Sequence, residues 1–176
     1  MNPPQPALPR QRLLAGLVDW LCALGWVVIT ASVGVLLFFV GIRPGMVGMN
    51  LLAAGFGVVP VCLGLAAFES GRRQASPGKR WQGLVVIGAE QGRITFGRGV
   101  LRNGVKVGIP WTLGHGVAIG LNSGASLTPA FVALLGLTYT VPICYLATLM
   151  FHPHHPLYDR LARTAVVKSR PQPTGT

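Results

Sequence analysis

LLAGLVDWLCALGWVVITASVGVLLFFVGI, at residues 13–42, is the stretch that decides the fold. A helix needs only about 20 apolar residues to cross a bilayer, so this run is long enough to span one. Asp19 is the only acidic residue within the long apolar runs of the chain. An ionised carboxylate is costly in hydrocarbon unless it is paired or hydrated, so Asp19 marks a candidate functional site.

The composition of the whole chain indicates an integral membrane protein. Its 176 residues are 51% hydrophobic and only 11% charged, a balance that is unusual for a soluble domain. Further apolar runs lie at residues 46–68, 107–121 and 130–151, and the run at 107–121 reaches spanning length only if Asn122 and Ser123 complete it. We therefore expect an α-helical integral membrane protein with about four transmembrane helices. Any one run, taken alone, could instead be a buried core helix.

The basic residues lie almost entirely on one side of the expected spans. Two precede the first run, eight lie between the second and third, four follow the last, and Arg43 alone falls elsewhere. Basic residues in short loops mark the cytoplasmic side, so we expect a multi-pass protein of the cell membrane with cytoplasmic N- and C-termini. The net charge of +11 favours the lipid bilayer and its anionic headgroups as partners. Nucleic acid is not expected, because the cations lack interleaved aromatic residues and a recognisable binding fold.

The basic segment between the second and third runs, at about residues 69–105, has an expected structure of its own. Residues 84–87 form a β-type run, and residues 93–96 form another after a turn-like segment at 89–92. Two such runs around a turn predict a small β-hairpin on the cytoplasmic face.

An interfacial amphipathic helix is expected after this hairpin. Its apolar face would carry Phe96, Val100 and Leu101, and its basic face Arg98, Arg102 and Lys106. Such a helix would lie at the membrane interface, direct its cations toward the headgroups and lead into the third span. A solvated basic linker without fixed structure is the alternative.

Several short motifs, taken in order, resemble the RDD family of membrane proteins. They are Arg12 and Asp19 in the first run, Pro77, Gly78, Lys79 and Arg80 with Gly83 and Val86 in the loop, Gly92, residues 96–103, and residues 158–162. The likeness extends from about Leu8 to Val167. It implies a transmembrane domain at 12–168, between a proline-rich cytoplasmic N-terminus at 1–11 and a cytoplasmic tail at 169–176.

The family is named for one arginine and two aspartates, which the resemblance assigns to Arg12, Asp19 and Asp159. The chain departs from the family pattern at Ser76, where threonine is more common, and at Arg163, where glycine is more common. Many members are described with three spans rather than four. The resemblance also implies a suggested role in transport, since some members are similar to sodium/proton antiporters.

The relation between Arg12 and Asp19 leaves two functions open. The two residues are two helical turns apart on one face, with their Cα atoms about 10 Å from each other. Asp159 would lie on the same cytoplasmic side and could complete a neutral cluster with them. We expect a structural or accessory membrane protein in which this charged cluster fastens the loop and the tail to the helices. The alternative is a small transporter or transport subunit that exchanges cations or protons at Asp19.

The depth of Asp19 in the membrane bears on this choice. Residues 20–41 alone make about 33 Å of helix, which is enough to cross a bilayer without the segment before them. Asp19 would then lie at the cytoplasmic interface, where fastening through charge-assisted hydrogen bonds is favoured.

The third run carries a small residue at every fourth position. These residues are Gly104, Gly108, Thr112, Gly116, Gly120 and Gly124. Small residues let another helix approach closely, so this ridge predicts a packing face. It could pack within the monomer, or in a homo-oligomer or larger membrane complex, which a transport function would favour because four short spans enclose little volume.

The remaining reactive residues predict no enzyme, no cofactor and no metal site. The three cysteines lie far apart in apolar runs, without the spacing of a disulfide or metal motif. His152, His154 and His155 could bind a metal, but the prolines between and after them restrict their geometry. His115 is expected to pack between helices rather than relay protons.

Overall fold

The computed structural model describes residues 5–152 and 156–169. The N-terminal segment 1–11 and the tail 169–176 lie partly outside the described residues, and His154 and His155 lie wholly outside them. The described part of the chain is mostly helical, with a single small two-stranded sheet.

The described residues form eight α-helices and two strands. In chain order these are α1 (Pro9–Phe39), α2 (Met46–Leu52), α3 (Val59–Ser70), α4 (Pro77–Trp81), β1 (Leu84–Gly88), α5 (Phe96–Asn103), α6 (Ile109–Asn122), α7 (Pro129–Phe151), α8 (Leu157–Ala162) and β2 (Thr164–Lys168). Two π-helical turns, Ala53–Val58 and Gly104–Gly108, join α2 to α3 and α5 to α6. Each pair therefore forms one continuous helix with a local widening.

Three helical segments of the described chain are long and apolar enough to cross a membrane. They are Pro9–Phe39, Val47–Ser70 and Pro129–Phe151. Large apolar side chains point outward from them, such as Phe39 and Phe151, which are 81% and 80% exposed. Continuous exposed apolar surface of this kind marks contact with lipid. The fourth expected run becomes α6, whose 14 residues fall short of the roughly 20 that a spanning helix needs.

The small sheet joins distant parts of the chain. β1 pairs antiparallel with β2, and Val86 lies opposite Val166 at the centre. The predicted hairpin between residues 84–87 and 93–96 is therefore wrong, although the strand at 84–87 is present.

Turn geometry explains why the segment after β1 does not return to pair with it. The Gly88 N–H donates to the Gly92 carbonyl at 2.9 Å and closes a tight turn. The Thr95 hydroxyl then accepts a hydrogen bond from the Arg98 N–H at 3.3 Å and caps the start of α5. Because α5 begins so early, no second strand can form there, whereas β2 supplies a run of β-favouring residues.

The N-terminal segment lies along the other edge of β2. The Ala7 N–H donates to the Val166 carbonyl at 3.1 Å, and the Lys168 N–H donates to the Gln5 carbonyl at 2.9 Å. The two ends of the described chain therefore meet on one side of the molecule.

The predicted amphipathic helix is present as α5, but one of its cations faces inward. Phe96 and Leu101 are exposed, whereas Arg102 is only 1% exposed. The expectation that Arg102 projects toward headgroups is therefore wrong. A Cβ at Gly99 would lie 3.2 Å from Ala66 of α3. Glycine at this position lets α5 approach α3 closely, which draws Arg102 into the interior.

Two apolar clusters form the core, and α1 contributes to both. The cluster beneath the sheet comprises Ala7, Ala15, Leu84, Val86, Ile94 and Val166. The cluster between the helices comprises Ala23, Val58, Cys62, Val107 and Trp111. Ala15, Asp19 and Ala23 lie on the buried face of α1, each four residues from the next. The Asp19 carboxylate is thus placed between the two clusters.

Candidate functional site: a buried charge network

Three of the four acidic residues of the chain are buried. Glu69 and Asp159 are 0% exposed and Asp19 is 7% exposed, whereas Glu90 is exposed. A buried charge is costly unless it is paired and hydrogen-bonded. The partners of these three carboxylates therefore define the candidate site.

Asp159 lies in α8 between two arginines. Its Oδ2 pairs with Arg12 Nη2, and its Oδ1 accepts hydrogen bonds from Arg102 Nε at 2.7 Å and Thr164 Oγ1 at 3.2 Å. Burial alone would raise the pKa of Asp159, but the two arginines outweigh burial and hold that pKa below its usual value. Burial also disfavours the charged form of Arg102, yet its pairs with Asp159 and Glu69 raise the pKa of Arg102. Asp159 and Arg102 therefore stabilise each other as ions.

Glu69 lies at the end of α3 and connects the loop to the interior. Its Oε1 accepts hydrogen bonds from Arg102 Nη1 at 2.6 Å and from Lys79 Nζ at 2.7 Å. Its Oε2 accepts from Asn103 Nδ2 at 2.9 Å. Both carboxylate oxygens are thus satisfied, one of them by two cations.

Asp19 binds the start of α4. Its Oδ2 accepts a hydrogen bond from Ser76 Oγ at 2.6 Å, and its Oδ1 accepts from the Gly78 N–H at 2.8 Å. Lys79 Nζ lies 3.6 Å from Oδ2 and also donates to Ser76 Oγ at 3.1 Å. The first membrane helix is therefore tied to the loop motif by one carboxylate.

Gly78 makes this approach of α4 to α1 possible. A Cβ on Gly78 would lie 2.0 Å from the Ala15 carbonyl oxygen and 3.0 Å from Asp19 Oδ1. The first of these distances is far inside van der Waals contact with backbone, so any side chain here would force α4 away from α1. The glycine of the loop motif is required by packing rather than by a turn.

Six charged side chains together form one alternating chain, which we call the charge network. In order of contact they are Arg12, Asp159, Arg102, Glu69, Lys79 and Asp19. Three cations alternate with three carboxylates, so the network is formally neutral. Arg12 and Asp19, both on α1, form its two ends, and the members between them come from α3, α4, α5 and α8.

The other residues of the loop motif have different positions. Pro77 is at the first turn of α4, where its missing N–H is not needed. Arg80 is exposed at the surface. Its Nε donates to the Ala75 carbonyl at 3.0 Å, and its guanidinium lies 5.3 Å from the centre of the Phe68 ring.

The glycines of the predicted ridge have unequal surroundings. A Cβ on Gly120 would lie 2.4 Å from a ring carbon of Phe131 in α7, and one on Gly116 would lie 3.5 Å from Leu134. Gly108 similarly faces Cys62 of α3 at 3.5 Å, whereas a Cβ on Gly104 or Gly124 would meet no atom of the described chain within 4 Å. Part of the ridge therefore packs within the monomer.

Among the described residues, those considered for metal binding are not gathered in one place. Within residues 5–152 and 156–169, no three His, Cys, Asp or Glu side chains are positioned to hold a metal ion. The His115 ring lies 6.1 Å from the Trp111 ring on the same helix. His152 is exposed just after α7.

Four members of the charge network can be singled out from the sequence, namely Arg12, Asp19, Asp159 and Lys79. Glu69 cannot be recognised as a member from the sequence alone. The signal in the sequence is that Glu69 directly follows the second apolar run. The helical pattern predicts Arg102 only as a surface cation. Its spacing from the apolar residues of α5 gave no sign that a carboxylate would face it.

Comparison with known proteins confirms the resemblance noted in the motifs. The model of the RDD family matches residues 6–163, which include every member of the charge network. No curated protein and no solved structure gives a match to the chain.

Proposed function

The chain belongs to the RDD family, and we propose that it is a structural or accessory membrane protein whose charge network fastens the cytoplasmic loop and C-terminal segment to the spanning helices. The observation that carries this proposal is the alternation of three cations and three carboxylates in one buried chain of contacts. Lys79 and Arg102 belong to the loop, Asp159 to the C-terminal segment, and Glu69 to the end of a spanning helix.

The carboxylates of the charge network already have all their hydrogen-bond partners within the protein, which supports a role in fastening the loop to the helices. Glu69 uses both oxygens, and Asp159 receives two arginines and a threonine hydroxyl. A cation entering this site would have to displace a lysine or an arginine that is already held in good hydrogen-bonding geometry. Removing one partner of such a buried pair typically costs about 3–5 kcal/mol, so the network resists opening.

We further propose four crossings, with both termini in the cytoplasm. The hydrogen bond between Ala7 and Val166 supports this proposal, because segments that bond directly lie on one side of the membrane and are separated by an even number of crossings. A fourth crossing would bring the three candidate spans to an even number. The π-helical turn Gly104–Gly108 and α6 together supply it, since they make about 28 Å of helix at 1.5 Å per residue. The basic loops support a cytoplasmic location for the shared side.

Hydrogen–deuterium exchange of the purified full chain tests the fastening function. In Glu69→Gln, which removes the carboxylate between Arg102 and Lys79, amides of α4 and β1 should exchange at least about tenfold faster, while those of α7 should be unchanged. Lys79→Gln should give the same pattern, and Glu90→Gln, which alters an exposed acid, should behave like the natural chain. Unchanged exchange in folded Glu69→Gln and Lys79→Gln would overturn the proposal.

A second candidate function, exchange of cations or protons at Asp19, is favoured by a cavity beside that residue. The cavity, of about 290 Å³, lies between α1 and α3, and Asp19, Trp26 and Pro60 are among its lining residues. Proteoliposomes holding the full chain should then show a pH-linked cation flux that Asp19→Asn abolishes. Absence of flux, or flux that survives in folded Asp19→Asn, would exclude this function.

A further inference from the structure

A different cavity, of about 340 Å³, carries positive charge that the charge network does not neutralise. Three cations, Arg12, Lys79 and Lys106, line it together with Tyr158. Arg12 and Lys79 already pair with carboxylates of the charge network. Lys106 is outside that network and is half-buried at the π-helical turn before α6.

The charge balance around this cavity leaves an excess of one cation. The described residues that line the cavity include no carboxylate. Among the described residues, no carboxylate oxygen lies within 4.0 Å of the Lys106 ammonium. The ammonium is instead 5.7 Å from the centre of the Tyr158 ring. The nearby cations Lys79 and Arg102 repel the Lys106 ammonium. A bound monoanion would relieve this repulsion and complete the charge balance.

The walls of the cavity are apolar on the side of α1. Leu13, Leu17 and Trp20 line it and are 43%, 58% and 49% exposed, respectively. They belong to a candidate membrane span, so the same side chains face both the cavity and the lipid. Tryptophan is enriched at the depth of lipid headgroups. The cavity thus combines a cationic interior with an apolar flank that leads into the bilayer.

We propose that this cavity binds the phosphate group of an anionic phospholipid. Lys106 donates to the phosphate, while Arg12 and Lys79 add positive potential from the wall and keep their carboxylate partners. An acyl chain follows Leu13 and Leu17 along α1. A headgroup with a net charge of −1 would balance the single excess cation. A zwitterionic headgroup has no net charge and would not balance it. Free phosphate offers the same phosphate group but has no acyl chain for the apolar flank to bind.

Titration of the purified full chain, followed by native mass spectrometry, distinguishes these ligands. The three probes are dioctanoyl phosphatidylglycerol, dioctanoyl phosphatidylcholine and inorganic phosphate. We expect phosphatidylglycerol to bind at least about tenfold more tightly than either of the others, because only it offers both the charge and the chain. Equal binding of the two lipids, or phosphate binding as tight as phosphatidylglycerol, would overturn the proposal.

Variants locate the binding in this cavity. Lys106→Gln should lower the affinity for phosphatidylglycerol about tenfold, the loss expected for one charge-assisted contact. Lys106→Arg should retain binding. Lys168→Gln, at an exposed lysine of β2, is the matched control and should bind as the natural chain does. Unchanged affinity in Lys106→Gln would refute the assignment.

A steric variant keeps the test valid if the lysine variants fail to fold. Gly16 lines the cavity, and a Cβ there would meet no atom of the described chain within 4 Å. Gly16→Leu should therefore fold while its side chain fills the cavity and blocks the lipid. Retained binding of phosphatidylglycerol in this variant would place the lipid elsewhere and exclude the proposed site.

Discussion

Arg102 Nε donates a 2.7 Å hydrogen bond to Asp159 Oδ1, across 57 positions of sequence. The same guanidinium donates through Nη1 to Glu69 Oε1 at 2.6 Å. One arginine thus joins α5 to both α3 and α8, and its charge is shared by two buried carboxylates. Loss of either carboxylate would leave an excess cation in the interior, so the network is held together as a unit.

Asp159→Asn should lower the free energy of unfolding by about 3–5 kcal/mol, because Arg12 and Arg102 would lose a shared buried counter-ion. Thermal unfolding in detergent should show a clear fall in Tm. Glu90→Gln is the control, since Glu90 is also acidic but exposed, and its Tm should stay close to that of the natural chain. Equal Tm values for Asp159→Asn and the natural chain would contradict an essential role of this ion pair.

Acidification should destabilise the protein through Asp159. Its pKa is lower in the folded protein than in the unfolded chain, so the unfolded chain binds more protons in acid. The stabilisation is complete above the unfolded pKa of about 3.9 and is lost as pH falls through the lower folded pKa. Tm measured from pH 6 down to pH 3 should fall less steeply for Asp159→Asn than for the natural chain. Parallel curves would show that Asp159 does not contribute.

Gly78→Ala should destabilise the contact between α4 and α1. The added Cβ would lie 2.0 Å from the Ala15 carbonyl oxygen, so α4 must move and weaken its hydrogen bonds to Asp19. We expect a loss of about 1–3 kcal/mol, as for other overpacked sites. Gly97→Ala in α5 is the matched control, because its Cβ would meet no atom of the described chain within 4 Å. A Gly78→Ala protein as stable as that control would refute the close approach.

Cysteine labelling should reveal the orientation of the chain. In a background without the native cysteines, Arg73→Cys should be inaccessible to a membrane-impermeant reagent outside intact cells, whereas Ser126→Cys should react. The proposed four crossings place these two exposed residues on opposite sides of the membrane. External labelling at position 73, or equal labelling at both positions, would contradict that topology.

Some residues of the charge network can be predicted from the sequence and others cannot. Asp19 was conspicuous because a lone acid in an apolar run is unusual at any depth. Glu69 escapes prediction because it directly follows such a run, where an acid is unremarkable without knowledge of its neighbours. Arg102 was expected at the surface because helical periodicity records which residues share a face, and not which face turns inward.

The sheet illustrates the same limit for secondary structure. The strand at 84–87 was predicted from its β-favouring residues, and β1 is there. The nearest suitable run, at 93–96, is the partner that the sequence predicts, whereas the true partner is β2, about 80 residues further along the chain. Local propensity predicts a strand, but pairing depends on which segments the helices bring together.

Length, hydropathy and motif order can be read from the chain itself, so the amino-acid sequence predicts the membrane class, the apolar helices and the three residues that the family resemblance singles out. Which charges pair and which are buried depends on how the helices pack. Arg12 meets Asp159 across 147 positions, and Arg102 reaches Glu69 because Gly99 lets two helices pack closely. Ion pairing acts over a few ångströms, and those distances are set by packing rather than by sequence order.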